Sequence, residues 1–227
     1  IKAPEEINYI QKACKITDDC FKHICNFIKV GMTEKEIAFE IEHYFKTHEA
    51  DGLAFDTIVA SGSNSSMPHA IPTDRKIVAG DPITIDFGCR YKGYCSDMTR
   101  TFFYEGILEE EIKVYEIVKK ANEAAEAMIK PGVKLSDIDK CARKVISDEG
   151  YGKYFTHRLG HFIGRDVHEY GDVSSVNEME VEEGMIFSIE PGIYLEGNFG
   201  VRVEDLVMVT KDGCQVLNSF TKDIYII

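Results

Sequence analysis

Several things are scarce or missing in this 227-residue sequence, and each shortage excludes something. There is no run of about 18 apolar residues, so no segment is suited to cross a bilayer as a helix, and a membrane is not an expected partner. The chain opens Ile1-Lys2-Ala3-Pro4-Glu5-Glu6, with neither a starting methionine nor the apolar core of a signal segment. We read that opening as a point inside a longer protein and expect an upstream N-terminal domain. Basic residues are few, 26 Lys and Arg against 39 Asp and Glu, for a formal net charge of −13. A surface of that sign repels phosphate backbones, so nucleic acid is not expected either. No Cys-x-x-Cys pair occurs among the seven cysteines, Cys14, Cys20, Cys25, Cys89, Cys95, Cys141 and Cys214. An odd, scattered set signals neither a structural zinc site nor a disulfide framework, and it fits a reduced, cytoplasmic chain.

What is present starts with a composition 44% hydrophobic, enough to bury a core without staples. Apolar residues at three- and four-residue spacing predict helices over residues 4–28, 108–128 and 136–149. Thr33 followed by Glu36 reads as a capping box opening a further helix that runs to about residue 49. Shorter runs predict strands over 55–60, 83–87, 97–104, 185–189 and 201–210.

The order of these elements repeats. Ile28-Lys29-Val30-Gly31 precedes one helix, and Ile129-Lys130-Pro131-Gly132 precedes another. Ala79-Gly80-Asp81 leads into Ile83-Thr84-Ile85-Asp86-Phe87-Gly88, much as Glu183-Gly184-Met185 leads into Phe187-Ser188-Ile189-Glu190-Pro191-Gly192. Each unit then passes through a glycine-containing turn to a second acidic position, Asp97 in one and Glu204 in the other. The expected architecture is α+β, with two related halves whose acidic pairs meet at a pseudo-twofold axis. Strand alternation puts Thr84 and Asp86 on the face opposite Ile83, Ile85 and Phe87, and puts Arg202 and Glu204 on a common face. Four carboxylates in one cleft raise each other's pKa, and divalent cations are the usual source of the missing positive charge.

Between the acidic pairs lies Thr156-His157-Arg158-Leu159-Gly160-His161-Phe162-Ile163-Gly164-Arg165-Asp166-Val167-His168-Glu169, which holds three of the chain's seven histidines. Imidazole ligates borderline metals and titrates near neutrality. Gly160 and Gly164 permit a close backbone approach or a sharp turn. No His-Glu-x-x-His pattern is present, and the two glycines argue against a helical metal face. His69 sits in the proline-bounded loop Ser66-Met67-Pro68-His69-Ala70, an unusual place for a core histidine. His23, His43 and His48 fall on helices and are read as structural.

Five segments in this order, Pro68–Pro72, Ile85–Phe102, His157–Glu169, Ser188–Tyr194 and Phe199–Asp205, resemble the metallopeptidase family of methionine aminopeptidase, creatinase and prolidase. That family has the pita-bread fold, two pseudo-twofold-related α+β halves around a dinuclear metal cleft. The resemblance implies one catalytic domain over residues 1–227, with halves about 1–106 and 107–227, and a homodimer in the full-length protein. It implies Asp86, Asp97, His161, Glu190 and Glu204 as ligands of two divalent ions, with Asp97 and Glu204 bridging. His157, four residues before the ligand histidine, and Arg202, two before the last ligand, match the Xaa-Pro dipeptidase and aminopeptidase branch. Methionine aminopeptidases usually lack both, and that activity is the runner-up. A metal-free peptide-binding module on the same fold is a third reading.

The resemblance also implies roles. Glu190 would take the proton of the attacking water, and His168 would donate to the developing oxyanion. His69 would contact the substrate near the scissile bond, and His157 would help hold the proline side. Arg202 would orient Glu204 or Asp97. Peptides with proline in second position are the expected substrates. Manganese is favoured by the carboxylate excess, with cobalt and zinc as alternatives. Phe162, where the family often has glycine, is expected to narrow the pocket.

Overall fold

The computed structural model describes all residues 1–227. Helices form where the apolar spacing predicts them, at α1 (Pro4–Phe27), α2 (Glu34–Thr47), α3 (Glu109–Met128) and α4 (Leu135–Asp148). The capping box predicted for α2 is reciprocal. Glu36 N donates to Thr33 Oγ1 at 3.1 Å, and Thr33 N donates to Glu36 Oε2 at 2.7 Å.

The first half contains β1 (Gly52–Leu53), β2 (Ile58–Ser61), β3 (Pro82–Phe87), β4 (Cys89–Tyr91), β5 (Tyr94–Cys95) and β6 (Met98–Phe103). Strands β2, β3 and β6 form an antiparallel sheet whose apolar face, Ile83, Ile85 and Phe102, packs on Phe21 and Ile24 of α1 and Ile37 of α2. The second half contains β7 (Gly160–His161), β8 (Asp172–Val173), β9 (Ile186–Ile189), β10 (Gly192–Leu195), β11 (Phe199–Arg202), β12 (Asp205–Val209) and β13 (Cys214–Val216). Its β9–β12–β13 sheet contributes Phe187 and Val207 to a second core with Val118 of α3 and Leu135 and Ile138 of α4. Each half thus buries its own helix pair against its own three-stranded sheet.

The repeat in the sequence is a repeat in the backbone. Gly31 N bonds to Ile77 O and Ile77 N to Met32 O, at 2.9 and 2.8 Å; Gly132 N bonds to Val181 O and Val181 N to Val133 O, also at 2.9 and 2.8 Å. Gly80 and Gly184, at equivalent turns, both adopt a left-handed φ, +85° and +83°, which only glycine takes without strain.

Two strands differ from expectation. The one read at 55–60 begins at Ile58, because Ala54 N pairs instead with Gly88 O at 2.9 Å and Phe55 turns towards the central cavity. The one read at 201–210 breaks after Arg202. Strand β11 pairs with β10 and β12 with β9, so one continuous strand could not serve both. At the break Glu204 N bonds to Thr99 O of β6 at 3.1 Å, across the two halves. The C-terminal residues also cross over. Phe103 exchanges backbone bonds with Tyr225 and Ile227, and Phe220 packs on Phe21 with ring centroids 4.5 Å apart.

Candidate metal centre

Every residue singled out for chemistry reaches one cavity of about 470 Å³ between the halves. Asp86 comes from β3, opposite Thr99 of β6, and Asp97 lies one residue before β6. His161 ends β7, Glu190 follows β9, and Glu204 occupies the gap between β11 and β12. Ligand atoms of Asp97, His161 and Glu204 lie within 4.8 Å of one another. His161 Nε2 is 3.4 Å from Asp97 Oδ2 and 3.5 Å from Glu190 Oε1. His69, His157, His168 and Arg202 line the same cavity.

The protein holds one side of each of these candidate ligands except Asp97. Arg202 Nη2 donates to Asp86 Oδ2 at 2.7 Å, Thr99 Oγ1 donates to Glu204 Oε2 at 2.6 Å, and Ser188 Oγ donates to Glu190 Oε1 at 3.1 Å. His161 Nδ1 lies 3.2 Å from the Phe162 carbonyl, to which it donates, and Nε2 is the nitrogen turned to Asp97 and Glu190. Asp86 Oδ1, Asp97 Oδ1 and Glu204 Oε1 are buried and accept no hydrogen bond. Three orphaned acid oxygens in one pocket are costly, because each gives up hydration without a protein donor.

The electrostatics agree. Burial, then the charges of Asp86 and Glu190, push the Asp97 carboxyl well above the usual carboxylate range. Burial, then Asp97, Glu190 and Asp86, do the same to Glu204. Glu190 is raised by burial, with His161 and Arg202 acting against that rise. Divalent cations reverse this logic by supplying the charge that burial removes. The donor set fits them. It comprises four carboxylates and one imidazole with its Nε2 free, and the protein donors opposite the free atoms fix their directions.

The histidine cluster is not helical, and its glycines work as expected. A Cβ on Gly160 would lie 1.9 Å from the Ser188 carbonyl oxygen, so only glycine lets β7 approach β9 closely enough to present His161. His168, on the exposed loop that follows, brings its ring edge to His161 with centroids 4.3 Å apart. Burial, then His161 and Arg158, lower its pKa, which keeps the ring neutral and still able to donate one N–H.

Three expectations change. Arg202 was expected to orient Glu204 or Asp97, but it binds Asp86 directly and reaches Glu204 only through Thr99, whose Oγ1 accepts from Arg202 Nε at 3.1 Å. Phe162 does not narrow the pocket. Neighbours on an extended segment face opposite ways, so His161 enters the cavity while Phe162 packs on Phe187 in the core, centroids 5.5 Å apart. His157 has no nitrogen free for a substrate. Nδ1 lies 2.8 Å from the Arg158 carbonyl, and Nε2 lies 2.9 Å from Tyr194 Oη, which in turn accepts from Arg202 Nη1 at 2.9 Å. Burial, then Arg202, lower the pKa of His157 to about 4, and burial pushes Tyr194 up to about 12. The chain therefore runs with fixed donors from Arg202 through the Tyr194 hydroxyl to a neutral His157.

Tyr194, Thr99 and Ser188 are the residues that sequence reasoning missed. Thr99 was within reach of it, two residues after Asp97 and beside the same strand. So was Ser188, two residues before Glu190 and bonded to it; Tyr194 was not, since only the β10–β11 hairpin brings its hydroxyl to the site. His23 bonds to Glu40, and His48 stacks on Tyr44, both away from the cavity.

Residues 8–211 match the model of metallopeptidase family M24. The chain is 43% identical over 222 residues to an uncharacterized peptidase of Staphylococcus aureus (strain MSSA476), covering 98% of this chain and 63% of that protein. Among solved structures, an X-Pro aminopeptidase from Thermotoga maritima MSB8 superposes with a TM-score of 0.98 at 41% identity, covering 100% of this chain and 64% of the other. An Xaa-Pro dipeptidase from Bacillus anthracis gives 0.98 at 38%, with 100% and 64% covered. A prolidase from Pyrococcus furiosus gives 0.95 at 41%, with 97% and 66% covered. The chain thus spans a little under two thirds of the length of these relatives.

Proposed function

The chain belongs to metallopeptidase family M24, and from that premise we propose that it hydrolyses the peptide bond between an N-terminal residue and a following proline. It would act as a proline dipeptidase or Xaa-Pro aminopeptidase, with two divalent cations held by Asp86, Asp97, His161, Glu190 and Glu204. The observation that carries the reading is the meeting of these five side chains in one cavity with three buried acid oxygens unpartnered. Proline as the second residue is supported by the solved relatives named for X-Pro and Xaa-Pro substrates. The oxygen-rich donor set favours manganese.

When bound, the cation pair supplies Lewis-acid polarisation of the scissile carbonyl and a water of lowered pKa. The rest falls to the protein. Glu190, pushed upward by burial, is suited to take the water's proton and pass it on. The nitrogen of the scissile bond, like any amide nitrogen, must receive a proton to leave as an amine. His168 donates its N–H to the carbonyl oxygen as negative charge develops there. His69, at the cavity mouth, contacts the substrate beside the scissile bond. Arg202 fixes Asp86, and Tyr194 with His157 fixes Arg202, so this chain sets ligand direction and the His157 ring forms a wall of the cavity.

The test is metal analysis with a peptide panel. We expect hydrolysis of Ala-Pro, Leu-Pro or Xaa-Pro-initiated tripeptides, lost on exhaustive chelation and restored by divalent metal. A preference for Met-Ala-Ser over every Xaa-Pro peptide would replace the proline assignment. Turnover that survives confirmed metal removal would overturn the metal reading.

A further inference from the structure

We propose that Glu34, a fully buried carboxylate outside the metal cavity, is a positioning residue that holds His69 at the cavity mouth. The proposal rests on the reading of His69 as a substrate contact. Glu34 is the first residue of α2, and its two oxygens are occupied from both ends of one loop. Oε1 accepts from Ser61 N and Ser61 Oγ, both at 2.7 Å. Oε2 accepts from Thr73 N at 2.9 Å and Thr73 Oγ1 at 2.6 Å, and Asn64 Nδ2 reaches both oxygens at 3.1 Å. Ser61 ends β2, and residues 62–72 carry His69 out to the cavity before Thr73 returns the chain. One carboxylate therefore ties the loop where it leaves the fold and where it comes back. On its far side the loop is held by the metal site itself, because Arg202 Nη1 donates to Pro68 O at 3.1 Å.

The fold alone does not account for a carboxylate here, because the molecule builds the same corner twice. Glu34 N bonds to Arg75 O and Lys35 N to Thr73 O, both at 3.2 Å; in the other half Leu135 N bonds to Met179 O at 3.0 Å and Ser136 N to Asn177 O at 2.8 Å. The counterpart of Glu34 is Leu135, equally buried, in the hydrophobic core. An apolar residue suffices to start the helix and seal the corner. A buried carboxylate is costly unless fully hydrogen-bonded, and in the first half its donors are Asn64 of the His69 loop and Ser61 and Thr73, the residues that flank that loop. Arg75 completes it, donating to Ser61 Oγ at 2.8 Å while forked onto Asp81 at 2.7 and 2.8 Å. Glu34 thus does in the first half what the corner itself does not need, fixing the backbone from which an exposed His69 reaches the substrate.

The experiment is a double-mutant cycle on the metal-loaded protein, with Glu34→Gln, His69→Ala and the double variant assayed on Leu-Pro, and metal content measured on each sample. Glu34→Gln is expected to retain metal and to lower kcat/KM on the order of 10- to 100-fold, the scale of a displaced substrate contact. Its split between KM and kcat should match that of His69→Ala. In the His69→Ala background Glu34→Gln should change kcat/KM by less than about twofold, since residues acting as one unit are not additive. Thr73→Val, which removes one loop donor and leaves Ser61 on the carboxylate, gives a second arm that is tested the same way if Glu34→Gln does not fold. Equal effects of the loop substitution in both backgrounds, or none in either, would overturn the proposal while leaving the reading of His69 intact. A His69→Ala protein as active as the parent would overturn both.

Discussion

Glu190 is the residue on which two roles converge, since it faces His161 Nε2 at 3.5 Å and has its carboxyl raised by burial. Glu190→Gln keeps one coordinating oxygen and the hydrogen bond from Ser188, but it cannot carry a proton. Stopped assays should show kcat lower by at least about 10²-fold, the lower end of general acid–base catalysis, with part of the metal still bound. A variant with near-parental kcat would take the base role away from Glu190. His157 makes a different prediction at the same scale. Its folded pKa of about 4 lies below the ordinary 6.5, so its contribution to stability is present above about pH 6.5 and is lost as pH falls through about 4. Protonation there puts a proton on Nε2 where the Tyr194 hydroxyl now donates. The advantage of the parent over His157→Gln in thermal unfolding should therefore shrink between pH 7.5 and pH 4.5. An advantage that stays constant over that range would show that His157 is not held neutral.

At the scale of elements, the centre depends on how closely strands and loops approach. Gly160 and Gly164 flank the same turn of chain and make opposite demands. A methyl on Gly160 meets backbone, the Ser188 carbonyl oxygen at 1.9 Å, which cannot move without shifting β9 and Glu190. A methyl on Gly164 meets the ends of flexible side chains, Glu169 Oε1 at 2.2 Å and Lys2 Cε at 2.6 Å. Gly160→Ala should destabilise by about 1–3 kcal/mol or more, in the range of overpacking, and should weaken metal binding through His161. Gly164→Ala should do less of both. Chemical denaturation and metal titration of the two variants check the order, and the reverse order would mean that the β7–β9 contact is softer than its geometry. Both histidine loops also share a device. The loop bearing His69 closes on the Glu34 carboxylate, and the one bearing His168 closes on Glu169, which accepts from Arg165 N at 3.0 Å and Lys2 Nζ at 2.7 Å.

At the scale of the whole molecule, the two halves are joined by buried polar contacts next to the metal ligands. Arg100, fully enclosed, donates to Asp205 Oδ1 at 2.6 Å and to the Phe220 and Thr221 carbonyls. Asp18 of α1 accepts from Ser219 N and Oγ at 2.7 Å. Asp86 and Asp97 come from one half, and His161, Glu190 and Glu204 from the other, so cations at the centre would tie the halves together. Without them the acids repel across the cavity. Metal-saturated protein should be the more stable, by roughly 2.7 kcal/mol at a hundredfold excess over Kd, and its melting temperature should rise with metal concentration. Calorimetry of metal-free and loaded samples measures it, and equal melting temperatures with the ligands intact would contradict this account.

The amino-acid order by itself determined the helices, the two-half architecture and the five acid and imidazole residues that meet in the cavity. Amphipathic spacing, turn glycines and strand alternation are local properties, and the duplication writes the long-range plan into them twice, as the matched corners at Gly31 and Gly132 show. Tertiary structure alone decided which groups pair across the duplication. The break that places Glu204 beside Thr99 comes from two neighbouring strands competing for one segment. Arg202 reaches Asp86 because β11 of one half lies against β3 of the other, a distance of 116 residues along the chain. Tyr194 enters the site only through the fold of the β10–β11 hairpin. Phe162 faces the core because its neighbour His161 takes the cavity. The burial of Glu34 against Ser61 and Thr73 follows from where β2 ends and the loop returns, which no local pattern encodes.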